Sequence, residues 1–73
     1  MKDIKQLVGI EANAVADLIC NNQDILEKDD DIVENINVAR KSMEFFMSLQ
    51  ENNRAYYEAK NIKEKIMQHL GLV

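Results

Sequence analysis

The sequence contains no proline and no tryptophan, and only two glycines, one cysteine and one histidine among 73 residues. Without proline and with so little glycine it cannot be collagen-like or low-complexity, and few positions force a helix to stop. The lone Cys20 excludes an intrachain disulfide framework and fits a reducing compartment. Cys20 and His69 together are too few for a zinc site built from Cys and His ligands. No apolar run approaches the ~20 residues of a membrane span. The opening Met1-Lys2-Asp3-Ile4-Lys5 has neither the apolar core nor the small-residue cleavage site of a leader. These absences predict a cytoplasmic chain with no membrane association.

Catalytic and cofactor signatures are missing as well. There is no glycine-rich phosphate loop and no Glu-x-x-His pair of the kind that holds di-iron centres. The acidic run Asp29-Asp30-Asp31 lacks the alternating ligands, central glycine and closing glutamate of a calcium loop. A nucleophile–base pair would have to join Cys20 or a serine to His69, and no spacing supports it. The expectation is a non-enzymatic protein with no metal and no cofactor. The length also excludes barrels and Rossmann domains and predicts one small helical domain over 1–73.

What the chain does have is 47% apolar and 30% charged residues arranged with helical spacing. Asp3-Ile4-Lys5-Gln6 has the form of a capping box, and Asp31-Ile32-Val33-Glu34 repeats it. Ile4, Leu7, Val8, Ala14, Val15, Leu18, Ile19, Ile25 and Leu26 fall within about 140° on a helical wheel, as one core-facing stripe requires. Glu11 and Asn22 interrupt that stripe, either as register-setting polar residues or as wet positions at the seam's ends. Glu27-Lys28-Asp29-Asp30-Asp31 reads as a surface turn, so helices over 3–27 and 31–50 should form an antiparallel hairpin.

The second helix carries Ile32, Ile36, Ala39, Met43, Phe46 and Met47 on one face. A third helical segment over 53–70 carries Ala55, Ala59, Ile62, Ile66 and Leu70 on another. The stripes are displaced from each other, so the third segment is either continuous with the second and meets a different partner, or is kinked from it near Gln50–Arg54, with Asn52 or Asn53 as the new cap. Leu70-Gly71-Leu72 reads as a C-cap.

Formal net charge is −4, unevenly spread. Residues 1–34 hold three lysines against nine acidic residues, and residues 53–73 hold four basic against two acidic. The acidic first helix can therefore sit against the basic third segment, within a chain or across a dimer. A chain this small buries only about 60% of its unfolded surface, and oligomerisation is a common remedy. Phe45 lines up with Val38, Leu49 and Tyr56 on a second apolar strip that a monomeric hairpin leaves uncovered. The fold class expected is thus all-α, an antiparallel hairpin plus a third segment, assembling into a helical-bundle homodimer or homotetramer.

Phe45, Leu49, Arg54, Tyr56 and Tyr57 are the candidate partner or self-association residues, since Tyr and Arg often carry interface energy. The leading expectation is a regulatory interaction protein that binds another protein, acting as inhibitor, adaptor or assembly factor. Seven lysines to two arginines, with eight Asn and eight Ile, fit the codon usage of a low-GC bacterium or its phage. Two other readings stand beside it. One is nucleic-acid binding through 53–65, which net acidity and the interrupting Glu58 and Glu64 disfavour. The other is a small-ligand sensor whose pocket forms between subunits, lined by Arg54 and the tyrosines.

Overall fold

The protein's computed structural model describes residues 3–72; Met1, Lys2 and Val73, the ends of the domain read over 1–73, lie outside the described residues. Four helices follow one another: α1 (Ile4–Asn21), α2 (Gln23–Leu26), α3 (Asp30–Ser48) and α4 (Asn52–His69), with no strand among the described residues.

The first helix starts where its sequence says it should. The Asp3 carboxylate accepts from the Lys5 backbone N–H at 3.3 Å, satisfying one of the free donors of the first turn. The helix predicted to run to residue 27 stops earlier. Asn22 leaves helical geometry at φ −132° and ψ 27°, and its side-chain amide donates to the Leu18 carbonyl at 2.9 Å. The amide thus occupies a carbonyl at the helix end that the next turn would otherwise have bonded. The chain resumes as the single turn α2 after this break, and Ile25 is exposed, off the apolar stripe, while Leu26 is buried.

A second correction concerns the cap of α3. Asp29, not Asp31, is the N-cap, and its carboxylate accepts from the Asp31 and Ile32 N–H groups at 3.0 and 3.4 Å. Asp30 and Asp31 then lie in the first turn, where negative charge opposes the positive end of the helix dipole.

The helix does break between the second and third segments. The Gln50 N–H donates to the Met47 carbonyl at 3.0 Å and the Glu51 N–H to the Phe46 carbonyl at 2.8 Å. This is the Schellman pattern, and it places Gln50 at φ 60°, a left-handed position that glycine usually fills. Glu51 rather than Asn52 or Asn53 is the N-cap of α4, without a side-chain hydrogen bond. The same pattern ends α4, with Gly71 at φ 74° and its neighbour Leu72 donating to the Met67 carbonyl at 2.8 Å. The Leu72 side chain stays exposed instead of folding back.

In the expected hairpin, α1 and α3 pair directly. Instead α4 packs against both and is the common partner of the two. The reason lies in its buried stripe: Ala55, Ala59, Ile62 and Ile66 are at most 3% exposed, and the two alanines let neighbouring backbones approach closely. Val15, Leu26, Ile32, Ile36, Ala39, Ile62 and Ile66 form the continuous core, with Leu18, Ile19, Val33 and Leu70 packed on it. Ile4, Leu7, Ala14 and Phe46 are half-buried, and Met47, expected on the inner face of α3, is exposed.

An ion pair and a carboxylate–imidazole contact join the acidic half of the chain to the basic helix. Glu11 Oε2 lies 2.6 Å from Lys63 Nζ, with the two side chains 16% and 26% exposed. That oxygen is buried and has no well-angled hydrogen bond, so the lysine charge is its compensation. Asp29 lies 3.7 Å from His69 Nδ1, setting the end of α4 beside the start of α3. Glu11 is therefore the polar residue that ties α1 to α4, and Asn22 is the one that ends the seam. No helix of the described residues is long and apolar enough to cross a membrane.

Candidate functional site

The α3–α4 turn gathers most of the candidate residues at one end of the molecule. Since the core of α3 is occupied by Ile32, Ile36, Ala39 and Met43, a residue about 100° around the helix must project away from it. Val38, Phe45 and Leu49 occupy that flank, and Phe45 and Leu49 are 59% and 53% exposed. The Ser48 hydroxyl donates to the Phe45 carbonyl at 2.6 Å, which the Leu49 N–H also bonds at 3.2 Å, closing the last turn tightly beneath the strip.

Arg54 belongs to the same end. Its guanidinium carbon stands 5.7 Å from the centre of the Phe46 ring, and Nη1 is 3.8 Å from Glu51 Oε2. The arginine is thereby oriented by an aromatic face and a carboxylate while remaining largely open to solvent. Phe46 in turn stacks at a tilt on Phe45, with ring centres 5.9 Å apart. Phe45, Phe46 and Arg54 thus make one connected cluster.

The tyrosines divide. Their rings meet edge to face at 5.5 Å, but adjacent helical residues diverge, and Tyr57 points outward at 60% exposure. Tyr56 is half-buried and sits two turns before Lys63, on the side of α4 that meets α1. The structure therefore brings together Phe45, Leu49 and Arg54 and leaves Tyr57 exposed near them in sequence, whereas Tyr56 faces another side of the bundle. The expected alignment of Tyr56 with Val38, Phe45 and Leu49 assumed one straight helix, and the break at Gln50 abolishes it.

The other readings meet specific geometry. In the basic segment 53–65, Lys63 is engaged by Glu11, and Glu58 and Glu64 remain among the exposed cations. Two hollows of some 400 and 360 Å³ flank α3, and neither is lined by Arg54 or a tyrosine. Among the described residues no three His, Cys, Asp or Glu side chains gather as a metal site would need.

The 360 Å³ hollow is a feature that reading the sequence missed. It lies between α1 and α3, with Ala12, Ala16, Ile19 and Cys20 on one wall and Met43 and Met47 on the other. Arg40 and Glu44 stand at its rim. Its signal was present in the small residues at 9, 12, 16 and 20, which repeat every three or four positions beside the apolar stripe. Comparison of the chain with known protein families, with curated proteins and with solved structures gives no match.

Proposed function

We propose that this is a non-enzymatic helical interaction protein, which self-associates and binds another protein through the α3–α4 end. The observation that carries this reading is the pair of exposed side chains Phe45 and Leu49 on one flank of α3, beside an Arg54 held by Phe46 and Glu51, with Tyr57 also more than half exposed on the first turns of α4. Large side chains left in water at one end of so small a core are a cost to the isolated chain, and a docking partner removes it. Aromatic residues and arginine are also the types that dominate interface energies. Regulation, inhibition or assembly by surface occlusion needs nothing more than such a face, and the lysine-rich, asparagine-rich usage fits a low-GC bacterial or phage cytoplasm.

The test is capture of interacting proteins from the cells that express the chain, using the parent protein and a Phe45→Ala/Tyr57→Ala variant as parallel baits. The reading predicts a stoichiometric protein partner retained by the parent and lost by the variant, with the variant's helical circular dichroism unchanged. A partner that both baits retain equally would contradict the assignment of this end.

A further inference from the structure

The groove between α1 and α3 is an apolar hollow that the bundle leaves uncovered. It does not end at Arg40. A smaller hollow lined by Leu26, Val33, Ile36 and Asn37 shares Ile19 and Arg40 with it, so the groove continues along α3 from Val33 to Met47. At 1.5 Å per residue that is a trough of about 21 Å. The floor is already core, since Val8, Val15 and Met43 are buried, while Ala16, Cys20 and Met47 on the walls are exposed. On the α1 wall Ala12, Ala16 and Cys20 are small. A backbone can therefore come close along that wall.

The rim carries a charge pattern that matches itself. Arg40 and Glu44 lie one turn apart at the edge of the groove, and neither joins an ion pair among the described residues. Their order, arginine before glutamate, is also the weaker one for a pair within a helix. Two α3 helices running antiparallel about a two-fold axis would bring each arginine to the other chain's glutamate, as an isologous interface requires.

We propose that the α1–α3 groove is closed in solution by the same groove of a second copy, with Arg40 set against Glu44 of the partner subunit and Glu44 against Arg40 of the partner subunit. The proposal rests on the reading that the chain self-associates and gives that association its place. The area suits a weak, reversible dimer: the smallest biological interfaces bury about 500 Å² per partner, roughly a tenth of the 5234 Å² that this chain exposes. Two helices abreast along a trough of this length offer close to that. The result is a four-helix seam of α1 and α3 from each subunit, which leaves Phe45, Leu49 and Tyr57 free for a different protein.

The experiment is sedimentation equilibrium of the full chain over a hundredfold concentration range, with three variants. The parent should dissociate from dimer to monomer on dilution. Ala16→Glu, at an exposed position, should weaken the dimer at least tenfold with helical circular dichroism intact. Arg40→Glu should weaken it similarly, and Arg40→Glu/Glu44→Arg should return it to within a few-fold of the parent. A parent that is monomeric throughout would overturn both the self-association and its placement, and would leave the groove to another protein's helix. A dimer unmoved by Ala16→Glu, or one that the double reversal does not restore, would overturn the placement alone.

Discussion

Gln50 holds a backbone conformation that is strained for a residue with a side chain, with φ 60° at the centre of the turn between α3 and α4. The left-handed region costs a non-glycine residue about 1 kcal/mol or more, and glycine is the usual occupant of this position in a Schellman turn. Gln50→Gly should therefore stabilise the fold by ~0.5–1 kcal/mol, seen as a rise of several degrees in Tm for a domain of this size. An unchanged or lower Tm would mean that the side chain contributes something its exposure does not suggest. Glu11 and Lys63 are the other informative residues. They pair at 2.6 Å across the α1–α4 seam with both side chains mostly shielded, so removing one charge strands the other in a poorly hydrated place. Glu11→Gln should cost ~1–2 kcal/mol. A double-mutant cycle in urea with Lys63→Gln should show a coupling near 1 kcal/mol. Additive effects would show that the pair contributes nothing to the seam.

At the scale of elements, the start of α3 separates two carboxylates with similar sequence credentials. Asp29 accepts two backbone N–H groups, whereas Asp31 only lies in the first turn. Asp29→Ala should lose ~1 kcal/mol as a broken cap, and Asp31→Ala only a few tenths through the dipole. Denaturant midpoints for the two variants decide it, and equal losses would refute the cap. The helices themselves were legible because the apolar spacing at Val8, Val15, Ile32, Ile36, Ile62 and Ile66 is unambiguous and each of these residues is buried. Periodicity reports which face is apolar but not which neighbour it meets. For that reason the apolar stripes alone are equally compatible with a direct α1–α3 pairing, and the central place of α4 shows only in the packing. The breaks at Asn22 and Gln50 were hard to see for a related reason. Each depends on one backbone conformation adopted without glycine or proline; the break at Asn22 puts Ile25 outside the stripe, and at Gln50 the displaced stripes leave a kink and a straight helix both open, of which only the straight one aligns Tyr56 with Phe45. Of the candidate site, the exposure of Phe45 and Leu49 follows from their distance around the wheel from the core residues, whereas Tyr57 stands out in the sequence by residue type alone and the wheel places Tyr56 on the strip instead. The groove does not follow, because a cleft is a property of two helices and the angle between them.

At the scale of the whole molecule, a chain of 73 residues with eleven buried apolar side chains among the described residues, three of them alanine and two valine, has a thin core. It nevertheless leaves two apolar regions open, on opposite flanks of α3. An arrangement with one flank for a second copy and the other for a different protein accounts for both, and for charged residues that find no partner inside the chain. Light-scattering mass across a hundredfold dilution, run on the parent and on Phe45→Ala/Tyr57→Ala, tests that division most directly. The account predicts twice the 8.4 kDa chain mass at high concentration for both proteins, falling towards 8.4 kDa on dilution. A mass of 8.4 kDa throughout, or a dimer lost when Phe45 and Tyr57 are truncated, would contradict it.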